Sequence, residues 1–375
     1  MILKETFLKV LKDRITMIFE YEIYKSPWFY FILTLFIGFI GWHYQISLLA
    51  HPFWFIAGVI ILVKTGDILI DGATKLARHY RVSPMIVGLT VVAFGTSLPE
   101  LIVSFLAALN GNTGISLGNV IGSNVANIGL IIGISALILP LTVSLTTIKK
   151  EAPILIAACF AAYFLAFNVI FDQSGATNVI GRVDGVILIA GFIAFMIYII
   201  RTAQKQRTQK AEAQFEKEFK GEREKTWKFY VSILLGLIGL SIGAKLIVFS
   251  GSEMARSLGV SEVVIGITMI AVGTSLPDLT AGVIAARKKE ADIAIGTVVG
   301  SNIFLLLCVL GMSALAKPIE IATNILRIDF LVVIGFSVFL YVMMSNDHKI
   351  DKKEGIMLLV AYAAYIIYVL LTTFI

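Results

Sequence analysis

The chain has 375 residues, 58% of them hydrophobic and only 15% charged, with a mean hydropathy of +0.90. Soluble domains carry about 45–50% apolar and about 25% charged residues, and a soluble core cannot absorb apolar runs about twenty residues long, each able to cross a bilayer core of roughly 30 Å. The formal charge of +6 suggests nucleic acid only if its distribution is ignored; nucleic-acid binding needs a clustered basic face, and these charges sit in loops.

In chain order, residues 1–27 form an amphipathic segment: Leu3, Phe7, Leu11, Ile15 and Ile18 fall on one helical face, with Lys4, Lys9, Lys12 and Arg14 largely on the other. That pattern suits a helix lying on the membrane surface. The first apolar run, Trp28–Leu49, lacks a small-residue cleavage site and reads as a retained span at 28–49. Further spans follow at 53–75, 84–109, 114–138, 152–171 and 183–202. After the hydrophilic, Lys-, Glu- and Gln-rich stretch Arg201–Lys228 come 229–252, 262–286, 292–315, 325–345 and 355–374. The expected fold is an all-α polytopic membrane protein. Its domains are the segment 1–27, an extra helix at 28–49, five helices over 53–202, a cytoplasmic charged linker at 203–228 and five helices over 229–375. Cys159 and Cys308 fall within apolar spans, so free thiols are expected.

With the N-terminus in the cytoplasm and the C-terminus outside, 25 of the 31 Lys and Arg residues fall on the inner side. Only Arg182, Arg256, Lys317 and Arg327 fall outside, and Lys64 and Lys245 lie within spans. Every cytoplasmic loop thus follows the positive-inside rule. A bacterial or archaeal plasma (inner) membrane is the expected location.

Residues 88–133 and 266–311 align without a gap at an offset of 178, with 18 of 46 positions identical. The pentapeptide Gly-Thr-Ser-Leu-Pro at 95–99 returns at 273–277, and Gly-Ser-Asn at 122–124 returns at 300–302. Five spans separate equivalent points, and five is odd, so the second copy enters the membrane from the opposite side. Inverted repeats of this kind mark secondary transporters, whose two halves rock around a midplane site.

Each pentapeptide is followed by a carboxylate, Glu100 or Asp278, near the middle of a span, where an ionised side chain is costly and usually functional. Pro99 and Pro277 donate no backbone hydrogen bond, which frees the carbonyls of Gly95 and Gly273 and predicts a broken helix in each copy. Thr96, Ser97, Thr274 and Ser275 surround the breaks, with Thr90 and Thr268 about a turn or more earlier. No His or Cys joins these oxygens. Such a set suits Ca²⁺, which takes six to eight oxygen ligands in flexible geometry, and equally Na⁺. Two carboxylates offset one divalent charge. The Gly-Ser-Asn motifs add further oxygens, and their small residues also fit plain helix packing.

The doubled motif, GTSLPE then GSN and GTSLPD then GSN, resembles the two alpha repeats of the calcium/cation antiporter superfamily, and within it the sodium/calcium exchanger type. The proton/calcium branch carries Gly-Asn before its carboxylate, and Gly95-Thr96-Ser97 does not match that. The resemblance covers the ten spans from about 53 to 374. It implies a ten-helix inverted-repeat (5+5) core, beside which the span at 28–49 is an extra helix, with four midplane ion sites. By position, the implied ligands are the side chains of Thr96, Ser97, Glu100, Ser123 and Asn127 in the first copy. The second copy supplies Thr274, Ser275, Asp278 and Ser301, and the carbonyls of Ala93 and Ala271 contribute as well. The long helices near 53–75 and 229–252 would slide as the gate. One position departs: Leu305 stands opposite Asn127, where many relatives carry Asp or Asn. An Asp there is associated with potassium dependence in one branch and with the central ion site in others.

The expected function is therefore Ca²⁺/Na⁺ antiport by alternating access, with these ions as substrates, no permanently bound cofactor, the lipid bilayer as surroundings and no obligate protein partner. A proton/calcium exchanger is the nearest alternative. A channel needs a continuous pore, and an intramembrane enzyme needs a nucleophile–base pair or a water-activating metal. Lys64, Asp67 and Asp71 share a helical face, with Lys245 opposite Asp67 in the repeat alignment; an ion pair among them or snorkelling side chains is the expected reading over a second ion site. His43, His51, His79 and His348 map to loops or span ends, so a buried histidine relay has no candidate.

Overall fold

In lipid no water satisfies the peptide groups, so apolar runs of this length close their hydrogen bonds within helices. The computed structural model describes residues 47–166, 178–209, 227–258, 262–321 and 328–374. The amphipathic segment 1–27, residues 28–46 of the extra span and residues 210–226 of the linker lie outside them. The described helices are α1 (Ser47–Tyr80), α2 (Pro84–Thr96), α3 (Leu98–Leu109), α4 (Thr113–Ile138) and α5 (Ala152–Ala166), then α6 (Arg182–Gln209) and α7 (Trp227–Ser257). After them come α8 (Glu262–Arg287), α9 (Ala291–Ala316), α10 (Phe330–Ser345) and α11 (Lys352–Phe374). Among the described residues, six single helices and the bent pair α2–α3 are long and apolar enough to cross a bilayer. Helices α5 and α10 are shorter, with 15 and 16 residues, and α8 has 26.

The repeat seen in the sequence governs the element boundaries. Pro84–Leu109 returns as Glu262–Arg287, Thr113–Ile138 as Ala291–Ala316, and the starts of α5 and α10 at Ala152 and Phe330 keep the same offset of 178. A π-helical stretch widens α4 at Asn127–Ile132 and α9 at Phe304–Val309.

Four short strands tie the halves together: β1 (Leu141–Thr142), β2 (Asn178–Ile180), β3 (Ile319–Ile321) and β4 (Lys349–Ile350). Strand β1 pairs antiparallel with β4, Leu141 opposite Ile350, and β2 pairs antiparallel with β3, Val179 opposite Glu320. Partners in a ladder must share one side of the membrane. Helices α5 to α10 separate β1 from β4, and α6 to α9 separate β2 from β3. Both numbers are even, as an alternating path requires.

Helices α1 and α7, with 34 and 31 residues, are about 50 Å and 46 Å long at 1.5 Å per residue. They run antiparallel along a glycine seam. A Cβ on Gly243 would lie 2.9 Å from the Gly58 carbonyl oxygen, one on Gly236 would lie 2.8 Å from the Leu69 Cα, and one on Gly72 would meet Ser232 and Ile233. Backbones approach this closely only where side chains are absent. Outer faces are apolar: Val183, Val186, Ile193, Ile197 and Ile200 are exposed on α6, and Val360, Ile367 and Leu371 on α11. Patches of that kind are a liability in water; against hydrocarbon they face a matching solvent. The polar side chains are inside instead, where Glu100, Asp278, Asn124, Asn127 and Asn302 are buried. Cys159 and Cys308 are free thiols.

Three expectations need correction. First, the helix break is one-sided. Helices α2 and α3 meet at an angle of 47° at Ser97, whose φ and ψ are −90° and 10°, whereas α8 continues through Pro277. Each proline removes a single backbone hydrogen bond; around the first, α2 packs closely on α9 through Gly88, Gly296 and Gly300. Second, Asp67 and Asp71 do not pair with Lys64 or Lys245. Lys288 Nζ lies 2.6 Å from Asp71 Oδ1 and 3.5 Å from Asp67 Oδ1, and Arg287 lies 3.4 Å from Asp67. The partners come from the end of α8, 217 residues or more away in sequence, so spacing along α1 could not reveal them. Third, the Thr90 hydroxyl donates to the Ile86 carbonyl of its own helix at 2.7 Å and takes no part in the polar cluster.

Candidate functional site

The polar centre forms where the two repeated motifs meet. Ser97, at the corner between α2 and α3, donates to Asp278 Oδ2 on α8 at 3.2 Å and to the Ser301 hydroxyl on α9 at 2.9 Å. Ser301 in turn lies 3.4 Å from both Asp278 Oδ1 and the Ala93 carbonyl oxygen. Asn127, at the start of the π-helical stretch of α4, donates to Asp278 Oδ2 at 3.3 Å and to Asn302 Oδ1 at 2.9 Å. Side chains from the α2–α3 corner, α4 and α9 thus converge on one carboxylate of α8, and widened turns like the one at Asn127 recur at functional sites.

The two carboxylates are treated differently. Asp278 accepts hydrogen bonds from Ser97, Ser301 and Asn127, whereas both carboxylate oxygens of Glu100 are buried without a hydrogen-bond partner. The Ser275 hydroxyl and Asn127 Oδ1 are likewise buried and unpartnered. Among the described residues the ion pairs involve Glu253, Asp67 and Asp71, not Glu100 or Asp278. An ionised carboxylate in such surroundings must be neutralised or find a cation.

The remaining residues singled out in the sequence are distributed as follows. Thr96 is buried, and its hydroxyl donates to the Val92 carbonyl at 2.8 Å and the Ala93 carbonyl at 3.2 Å. Ser123 is buried one turn before Asn127. Thr274 donates to Asn119 Oδ1 at 3.3 Å. Ala271 lies on α8 one turn before Ser275, and the Thr268 side chain lies outside the described ones. Leu305 is fully buried within the π-helical stretch of α9.

Two residues of the centre lie outside the implied ligand set, Asn302 of the second Gly-Ser-Asn motif and Asn119. Asn302 holds the Asn127 amide on one side and donates to the Asn124 carbonyl at 3.2 Å on the other. Asn119 joins Thr274, Ser104 and the Glu100 carbonyl. A signal for Asn119 existed: it lies one turn before Ser123 and two before Asn127 on one helix. Every donor atom in the cluster is an oxygen or an amide, and among the described residues no three His, Cys, Asp or Glu side chains gather. This chemistry suits a hard cation and not a soft one.

A helical membrane protein with two copies of a motif meeting at a buried, under-satisfied oxygen cluster is a transporter in class. The profile of the family described as sodium/calcium exchanger protein matches residues 50–201 and 228–371, and the chain belongs to that family. Sodium/calcium exchanger MaX1 of Methanosarcina acetivorans is 32% identical over 348 residues, covering 83% of this chain and 95% of that protein. Inner membrane protein YrbG of Escherichia coli is 34% identical over 269 residues, covering 71% of this chain and 80% of its own. A solved structure of the sodium-calcium exchanger NCX_Mj, soaked with 10 mM Na⁺ and zero Ca²⁺, matches with a TM-score of 0.72 at 31% identity and covers 84% of this chain and 97% of that one. The chain is thus an integral membrane antiporter for cations, not an enzyme.

Proposed function

We propose that the protein exchanges Ca²⁺ for Na⁺ across the membrane by alternating access, binding the ions at the cluster around Glu100 and Asp278. The observation that carries this is the Glu100 carboxylate, buried with neither oxygen partnered, on the helix that starts from the Ser97 corner of the Asp278 cluster. Thr96, Ser97, Ser123, Asn127, Thr274, Ser275 and Ser301 supply neutral oxygens, with the Ala93 and Ala271 carbonyls. Two carboxylates balance one Ca²⁺, and the same oxygens accept Na⁺. Residues 53–202 and 229–375 act as inverted repeats. The element boundaries repeating at 178 residues and the reciprocal strand pairs support that reading. Helices α1 and α7, sealed to one another along the glycine seam, move together as the gate against the rest. The Lys and Arg excess supports a cytoplasmic position for residues 75–81 and 287–289.

The test is radioactive Ca²⁺ uptake into proteoliposomes under Na⁺, K⁺ or H⁺ gradients imposed one at a time. An outward-directed Na⁺ gradient is expected to drive uptake without ATP. Uptake driven equally well by a proton gradient in Na⁺-free buffer would transfer the protein to the proton-coupled branch.

The same assay addresses potassium. Leu305 puts a buried hydrocarbon where the first half has Asn127, so the site holds two carboxylates and no third. Exchange is expected to proceed at the same rate with and without K⁺, while Leu305→Asp, which adds a carboxylate, should make the rate respond to K⁺. A strict K⁺ requirement in the unaltered protein would mean that another residue supplies the missing ligand.

A further inference from the structure

The amide of Asn127 has an oxygen face and a nitrogen face, and the hydrogen bonds around it decide which one is left free. Asn127 Nδ2 donates to Asp278 Oδ2 on α8 at 3.3 Å and to Asn302 Oδ1 on α9 at 2.9 Å. An amide nitrogen carries two hydrogens, and both are thereby used. What remains is Asn127 Oδ1, buried without a hydrogen-bond partner.

Asn302 is itself oriented from the far side. Its Nδ2 donates to the main-chain carbonyl of Asn124 at 3.2 Å. A carbonyl oxygen can only accept, so Asn302 must present its nitrogen there and its oxygen to Asn127. Turning the Asn127 amide over would then set its oxygen against both Asn302 Oδ1 and Asp278 Oδ2. Of the two anchors on Asn127, the Asp278 bond is the longer, and it belongs to a carboxylate whose oxygens a cation would claim. The fully buried Asn302 is the anchor that stays. The other half of the molecule has no such pair. Asn124, which corresponds to Asn302, donates to the Val120 carbonyl of its own helix at 2.7 Å, and Leu305, which corresponds to Asn127, has no amide to orient.

We infer that Asn302 is a positioning residue of the ion site, locking the Asn127 amide so that its oxygen, and not its nitrogen, is free for the cation. This rests on the reading of the Glu100–Asp278 cluster as the ion site, with Asn127 among its ligands. Groups that orient metal ligands are commonly worth ten- to a hundredfold in metal affinity.

The experiment measures Na⁺-driven Ca²⁺ uptake by the full chain in proteoliposomes against Ca²⁺ concentration, for Asn302→Ala and Asn127→Ala, singly and together. Asn302→Ala is expected to raise the KM for Ca²⁺ about tenfold with the maximal rate within about twofold. In the Asn127→Ala background the same change should move KM by less than about twofold, because the oxygen it positions is gone. A residue that only packs would act alike in both backgrounds. Asn302→Leu branches at the same carbon without polar atoms, and should raise KM as Asn302→Ala does while leaving no cavity. An unchanged KM in Asn302→Ala, a fall in maximal rate alone, or an undiminished effect in the Asn127→Ala background would each overturn the inference. Failure of both Asn302 variants to fold would overturn it too, by assigning the residue to folding alone. The two levels separate cleanly. Full transport in Glu100→Gln refutes the ion site itself, and an unchanged KM in Asn127→Ala refutes that ligand. A raised KM in Asn127→Ala beside an unaffected Asn302→Ala refutes only the role of Asn302.

Discussion

Glu100→Gln is expected to abolish Ca²⁺ transport while leaving the folded protein as stable as before, or more so. Both oxygens of this carboxylate are buried and accept nothing from the protein, so an amide there loses no existing hydrogen bond and removes an uncompensated charge. The loss falls on the bound ion, which keeps a single carboxylate to balance two positive charges. Removing one partner of a buried charge pair costs about 3–5 kcal/mol, roughly two to three and a half orders of magnitude in affinity. Asp278→Asn should abolish transport equally and destabilise the protein as well. Ser97 and Asn127 both aim hydrogens at Asp278 Oδ2, so an amide can keep those bonds only by turning its nitrogen to the other side, where Ser301 donates to Oδ1. Uptake assays paired with thermal unfolding of the detergent-purified variants check both halves of the expectation. Normal flux in either variant would remove the basis of the proposed site. Equal stability losses in the two would contradict the contrast drawn between the carboxylates.

The second large effect concerns a glycine of the repeated Gly-Ser-Asn motif. A Cβ added at Gly300 would lie 2.5 Å from the Leu89 carbonyl oxygen and 2.8 Å from the Ala93 Cβ. Neither neighbour is the loose end of a flexible side chain, so Gly300→Ala must push α2 away from α9. The displaced helix carries the Ala93 carbonyl and leads into Ser97, both of which contact Ser301. Overpacking of this kind costs about 1–3 kcal/mol, and here the strain is delivered into the polar cluster. Gly300→Ala is expected to lower both the thermal unfolding temperature and Ca²⁺ uptake sharply. An unchanged unfolding temperature and normal uptake in Gly300→Ala would show that α2 and α9 do not depend on this close approach.

The close approach at Gly300 marks how far the sequence could be read: a glycine in a repeated motif is visible there, but the Leu89 carbonyl it meets is not. The same limit explains the bend: Pro99 and Pro277 remove equivalent hydrogen bonds, but among the described residues only the first lies on a helix pair bent by more than 40°. Asp67 and Asp71 were visible as charges within a span; their partners Arg287 and Lys288 were not, since only the packing of α8 against α1 brings them together.

The sequence by itself determined the membrane class, the helical content and the twofold repetition, because these follow from apolar run length and from motifs that recur at a constant offset. It also singled out Glu100 and Asp278, since a carboxylate in the middle of an apolar span carries its cost wherever the helix lies. Tertiary structure alone decided which oxygens each carboxylate meets. Asp278 gathers donors from α2, α4 and α9, Glu100 gathers none, and Asn119 spans the two motifs from a third helix. Hydrogen bonds depend on directions and on distances of about 3 Å, and residues more than a hundred positions apart acquire those only when the helices pack.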